Sequence, residues 1–103
     1  TKAIAYIDEN YMKQPGLESI SKAAGVSSQH LCRLFRQTLN CRPMEYITKR
    51  KIQAAKMLLA ETRKTVEQIA EETGFCDSSY FCKIFKRFES ITPSQFRNAE
   101  QAL

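Results

Sequence analysis

The sequence predicts an all-α fold in which two similar bihelical units are joined by one long central helix. Three observations carry that expectation. The chain states nearly the same pattern twice: residues 17–46, opening LESISKAAGVSSQHLCRLFRQ, return near 66–96 as VEQIAEETGFCDSSYFCKIFKRFE. Identical pairs include Glu18/Glu67, Ile20/Ile69, Gly25/Gly74, Ser28/Ser78, Cys32/Cys82, Phe35/Phe85 and Pro43/Pro93. No segment alternates polar and apolar residues for long enough to make a strand. Three glycines and three prolines in 103 residues leave little material for sheet turns. Two copies are too few for a solenoid, whose faces need at least three repeats to be buried. The repeat therefore makes two heads.

Each element has a local reason. Residues 2–12 place Ile4, Ile7 and Tyr11 at helical spacing, with Asp8 and Glu9 outside, and Pro15-Gly16 ends that element. Leu17–Ala24 is a short helix with Ile20, Ala23 and Ala24 inward, and Gly25 supplies the left-handed residue that stops it. Ser27 or Ser28 caps the next helix, whose inward stripe is Leu31, Leu34, Phe35 and Thr38. Arg42-Pro43 opens the longest helix, proline standing where no donor is missed. Its apolar side is Tyr46, Ile47, Ile52, Ala55, Leu58 and Leu59. Ending near Glu61, it spans roughly 28 Å at 1.5 Å per residue. Thr65 and Gln68 form a capping box for a short helix that Gly74 ends. Residues 78–88 repeat the inward stripe with Phe81, Ile84, Phe85 and Phe88. Thr92-Pro93-Ser94-Gln95 opens a last helix that buries Phe96. The expected division is 1–42, a connecting helix over 43–62, and 63–103.

Charge narrows the partners. A net charge of +5 and a pI near 9.2 favour a polyanion, though only mildly. The first head carries Lys22, Arg33, Arg36 and Arg42 against Glu18 and Glu45, and the connector adds Lys49, Arg50, Lys51, Lys56, Arg63 and Lys64 against Glu61. The second head is slightly acidic through Glu67, Glu71, Glu72, Asp77 and Glu89. Phosphate should thus be felt most by the first head and connector. No apolar run has the length of a membrane span and no leader pattern is present, so a soluble, cytoplasmic protein is expected. The chain begins without a methionine inside a helical pattern, as a piece of a longer protein does. Cys32, Cys41, Cys76 and Cys82 show no CxxC pair or zinc-ribbon spacing, so reduced thiols and no metal or other cofactor are expected. No base, oxyanion donor or metal cage accompanies them, so catalysis is not expected.

A short helix, a tight glycine turn and a second helix with a basic outer face make a helix-turn-helix, whose second helix can lie in a DNA major groove. Small Ala24 and Thr73 precede the bend, where bulk would push the helices apart. Gln29, Cys32, Arg33 and Arg36 share the face opposite the first stripe. Glutamine bridges adenine N6 and N7, and arginine forks onto guanine O6 and N7. Arg36 lies a turn deeper, where phosphate is the alternative contact. The second copy offers Ser79, Cys82, Lys83 and Lys86 with Tyr80 beside them, a less decisive set because lysine is a point charge. Helix starts at Ser28, Pro43, Ser78 and Ser94 present amides that suit phosphate. Plain capping and a solvated polar face are the alternatives for these features.

On the motifs SSQHLCRLFRQ, PMEYI, RKIQAAKMLL and IAEETGFCDSSYFCKIFKRFESITPSQFR, the chain resembles the DNA-binding domain of the AraC/XylS family of bacterial transcription regulators over nearly its full length. The resemblance implies seven helices and two helix-turn-helix subdomains joined by the long central helix, with recognition helices in successive major-groove segments. It implies Gln29, Cys32 and Arg33 as base-facing residues of the first head, and Ser79, Tyr80 and Lys83 of the second. Ser28, His30, Arg36, Arg42, Ser78, Lys86, Ser94 and Gln95 form the expected phosphate-facing set. Double-stranded DNA is the expected partner, with RNA polymerase a second through the acidic second head. The resemblance also implies a sensing, receiver or dimerisation domain elsewhere in the parent protein. One chain should read two unlike half-elements about one helical turn, roughly 34 Å, apart. The rival expectation is a helical protein-interaction module whose DNA binding is weak or lost.

Overall fold

The computed structural model describes residues 2–102. Seven α-helices follow in order: α1 (Lys2–Asn10), α2 (Leu17–Ala24), α3 (Ser28–Leu39), α4 (Pro43–Glu61), α5 (Val66–Glu72), α6 (Ser78–Glu89) and α7 (Pro93–Ala102). There is no strand among the described residues. The all-helical expectation, with seven helices, holds. The chain divides into two compact units, and the boundary falls inside α4, between Arg50 and Lys51. The long helix is therefore shared out, its first half belonging to one unit and its second half to the other.

The first unit closes on Ala3, Ile7, Ile20, Leu31, Phe35 and Ile47, with Tyr46 and Leu17 half-buried against them. Phe35 and Tyr46 meet edge to face, their centroids 5.8 Å apart. The expected end of α1 moves forward: the helix stops at Asn10, and Tyr11–Lys13 form a single 3₁₀ turn before buried Pro15. Gly25, at φ 72°, stops α2 as its position predicts, its amide reaching back to the Lys22 and Ser21 carbonyls. Ala23 and Thr38, expected inward, are exposed, and so is Leu34 at 40%. In a unit this small the buried strip is narrower than the apolar stripe. Leu34 instead lines an open apolar groove of about 230 Å³ together with Ala3, Val26 and Leu31. The second repeat puts Phe75 where the first has Val26, and there Ile84, the counterpart of Leu34, is only 7% exposed.

The second unit closes on Ile52, Ala55, Leu59, Ile69, Ala70, Phe75, Phe81, Ile84 and Phe85. Rings run through it: Phe75 to Phe81 at 5.0 Å, Phe81 to Phe85 at 5.8 Å and Phe85 to Phe96 at 5.7 Å between centroids. Phe88, the remaining member of the expected stripe, is 38% exposed. The Thr65/Gln68 capping box forms with both reciprocal bonds, and Thr92/Gln95 repeats it at α7. Arg97 closes the other end of α4: its Nε donates to the Leu59 carbonyl at 3.1 Å and its Nη2 to the Thr62 carbonyl at 3.3 Å. A helix of this length leaves its last carbonyls without intrahelical donors, and a guanidinium satisfies them while complementing the helix dipole.

Candidate DNA interface

The second helix of each bihelical pair, α3 and α6, starts on a defined cap. Ser27 Oγ accepts from the His30 amide at 3.1 Å, and Asp77 Oδ1 accepts from the Tyr80 amide at 2.7 Å. The repeat thus keeps the cap but changes its chemistry, with Asp77 standing where the first copy has Ser27. The four residues between Gly74 and Ser79 absorb the one extra residue of the second copy. Gly74, at φ 87°, turns the chain as Gly25 does in the first.

Behind these starts, Gln29, Arg33 and Arg36 lie exposed on α3, with His30 at its first turn. On α6, Ser79, Lys83 and Lys86 are exposed and Tyr80 is 50% exposed. Tyr80 is not loose: its ring stands 6.2 Å from that of Phe75. Each helix therefore brings its polar candidates onto the side opposite its buried residues. The cysteines sit differently. By spacing Cys32 and Cys82 fall on the outer face, but both are half-buried, and Cys82 packs against the second core. Burial pushes the Cys82 thiol up from its ordinary value, with Glu67 adding to the effect. Cys32 is half-buried between exposed Gln29 and Arg33 on the first face.

The expected phosphate set divides. Arg42 is exposed, and its guanidinium stands 3.9 Å from Glu45, whose carboxylate also accepts the Arg42 backbone amide. Ser28 is half-buried, its Oγ 3.4 Å from Ser21 Oγ, so its hydroxyl faces α2 while its amide remains at the helix start. Ser78 is half-buried, and Ser94 and Gln95 are exposed. Gln95 has its carbonyl oxygen taken by the Thr92 amide, which leaves its NH₂ group as the available donor. On α5, Glu67, Glu71 and Glu72 are exposed, and Glu72 is paired with Lys64. Among the described residues no three His, Cys, Asp or Glu side chains stand together to hold a metal ion, and no helix is long and apolar enough to cross a membrane.

Sequence places one further residue only in the general charge of the connector. Lys51 is half-buried, donating from Nζ to the Gly74 carbonyl at 2.8 Å. The signal for it is its place beside Ile52 and one helical turn from Ala55, on the buried side of α4.

Two bihelical pairs, each with a glycine turn and a capped second helix showing polar side chains outward, define a tandem helix-turn-helix protein. A family profile described as a helix-turn-helix domain matches residues 20–99. The lactose operon transcription activator of Staphylococcus xylosus is 31% identical over 93% of this chain and 34% of its own length. The bifunctional transcriptional activator and DNA repair enzyme AdaA of Bacillus subtilis is 34% identical over 89% of this chain and 44% of its own length. A solved transcriptional regulator of AraC-type DNA-binding domain from Chromobacterium violaceum superposes with a TM-score of 0.92 at 28% identity, covering 96% of this chain and 88% of that one. The chain belongs to the AraC/XylS family, as its helix-turn-helix DNA-binding domain. It spans less than half the length of these curated relatives.

Proposed function

We propose that this chain is the sequence-specific reading domain of a bacterial transcription regulator, with α3 and α6 each entering a major groove of double-stranded DNA. The observation that carries the reading is that one construction, a glycine turn followed by a capped helix with an exposed polar face, is built twice. In the first head Gln29 and Arg33 read bases, with Cys32 at the flank of the same face. In the second, Ser79, Tyr80 and Lys83 do so. Ser28, His30, Arg36, Arg42, Ser78, Lys86, Ser94 and Gln95 hold the backbone through amides, hydroxyls and charge. Position for position the reading residues differ, Gln29 against Ser79 and Arg33 against Lys83, so the heads prefer unlike half-elements. The acidic α5 makes the second head the weaker anchor.

Three finer assignments belong to the same reading. The protein works in the cytoplasm at the nucleoid. Its parent carries a sensing or dimerisation domain. Exposed Glu67 and Glu71 give the second head a surface that suits a basic protein partner such as RNA polymerase. That acidic surface is also what favours the rival reading of a protein-interaction module.

Selection of duplexes from a random pool, with the full chain as bait, tests the proposal. A motif of two unlike parts supports two reading heads. One short motif restricts reading to the first head, and a pool without enrichment moves the function to the interaction module.

A further inference from the structure

Lys51 makes contacts that a solvent-facing connector charge does not make. Its Nζ donates to the Gly74 carbonyl at 2.8 Å and lies 5.2 Å from the centroid of the Phe75 ring, a cation–π distance. Gly74 and Phe75 form the turn that leads into α6. The Phe75 ring packs against Phe81 at 5.0 Å and Tyr80 at 6.2 Å between centroids, both in the opening turns of that helix. One ammonium group therefore holds the turn directly and, through a single ring, reaches the start of the helix that presents Ser79, Tyr80 and Lys83.

We infer that Lys51 is a positioning residue of the second reading head: it fixes the Gly74–Phe75 turn, and with it the angle at which α6 and Tyr80 meet DNA. The inference rests on the DNA-binding reading above and adds to it a residue that touches no DNA. The first head uses a different device. There Ser21 Oγ donates to the Glu18 carbonyl and stands 3.4 Å from Ser28 Oγ, tying α2 to the start of α3. The counterpart of Ser21 in the second repeat is Ala70, which has no hydroxyl to offer. A tie from α4 takes over that duty.

Burial lowers the Lys51 pKa from its ordinary value, so the folded protein carries this charge at a cost. The hydrogen bond and the ring contact offset that cost. Removing the lysine also takes the donor from the buried Gly74 carbonyl, so the turn loses its anchor together with some folding stability. The location of the turn is what the lysine contributes.

The test uses the full chain with Lys51→Met and Lys51→Arg. Binding is measured on the selected duplex and on one with the second head's half-element scrambled, that half being the one whose enrichment Lys83→Ala abolishes. Amide hydrogen exchange over residues 74–80 is followed alongside. Lys51→Met should weaken binding to the intact duplex about tenfold, the scale of one charge-assisted hydrogen bond. It should leave binding to the scrambled duplex unchanged and speed exchange at the turn. Lys51→Arg, which keeps a donor and a cation, should restore most of the loss. Equal losses on both duplexes would overturn the inference in favour of a general structural role. So would full discrimination retained despite a loosened turn. If the unaltered chain cannot tell the two duplexes apart, the DNA-binding reading of the second head itself fails, and this inference falls with it.

Discussion

Replacing Arg33 by alanine removes one guanidinium from the exposed face of α3 and leaves the rest of the first unit in place. Arg33 lies opposite buried Leu31 and Phe35 and enters none of the four ion pairs found among the described residues. An exposed substitution of this kind changes folding by no more than about 0.5 kcal/mol, so weaker binding reports directly on the DNA interface. A bidentate fork onto guanine contributes about 1–3 kcal/mol of discrimination against the wrong base. At about 1.4 kcal/mol per factor of ten, Arg33→Ala should weaken binding to the selected duplex between about fivefold and about 150-fold. The effect should be confined to duplexes bearing the guanine that Arg33 reads. Fluorescence anisotropy against the selected duplex and its single-base variants, repeated at several salt concentrations, separates the cases. If the guanidinium reads a base, alanine flattens preference at one position and leaves the salt slope nearly unchanged. A uniform weakening across all duplexes with a shallower slope would assign Arg33 to a phosphate instead. Unchanged binding would remove α3 from the reading role.

Other perturbations report on different parts of the structure. Arg42→Ala, at a side chain 74% exposed and paired with Glu45, should weaken binding to all duplexes alike. It should also reduce the salt slope by about 0.9, the share of one phosphate contact, in the same anisotropy titrations. Arg97→Ala removes both donors to the Leu59 and Thr62 carbonyls at the end of α4. That should destabilise the protein by about 2–3 kcal/mol and lower its melting temperature by roughly 10 °C in a calorimetric or circular-dichroism melt. A melting temperature that does not move would show that water replaces the guanidinium there without cost.

The legible part of the fold was the local part. Thr65 with Gln68, Gly25 before the turn, and Pro43 and Pro93 at helix starts act within a few residues of themselves, so their chemistry is readable from the chain. The repeat did the rest, because two copies of one pattern exclude most readings that one copy allows. What escaped depends on packing between elements. Leu34 and Phe88 share the spacing of buried residues but stand at the margin of cores too small to cover them. Cys32 and Cys82 have outward spacing but sit near enough to the core-facing side to be half-buried. Asp77 caps α6 at the position that Ser27 holds in the first copy, a substitution of one capping oxygen for another that the repeat alone does not announce. Lys51 reads as a surface charge in any composition argument. Only the fold brings a glycine carbonyl to a lysine 23 residues earlier in the chain. Among the candidate site residues, exposure of Gln29, Arg33, Ser79 and Lys83 follows from helical period and was readable. The return of Gln95 to the Thr92 amide was readable too, whereas the contact of the Ser28 hydroxyl with Ser21 was not.

The repeat itself offers a stricter test than any deletion, because it predicts a gain. Gln29, Cys32 and Arg33 correspond to Ser79, Cys82 and Lys83, and the middle member of each set is already the same residue. Ser79→Gln with Lys83→Arg therefore gives the second head the first head's base-reading set while leaving Tyr80 and the Phe75 contact untouched. Both changed positions are exposed, so the fold should tolerate them within about 0.5 kcal/mol each. If base preference resides in these side chains, selection with the doubly substituted chain should return a motif whose second part has drifted toward the first, approaching a direct repeat. Affinity for the original duplex should fall by whatever Ser79 and Lys83 contribute to reading it. A motif unchanged by the graft would place second-head specificity elsewhere: in Tyr80, or in DNA shape read through the backbone contacts of Ser78, Lys86, Ser94 and Gln95. Adding Tyr80→His to the graft separates those two, since only side-chain reading responds to it.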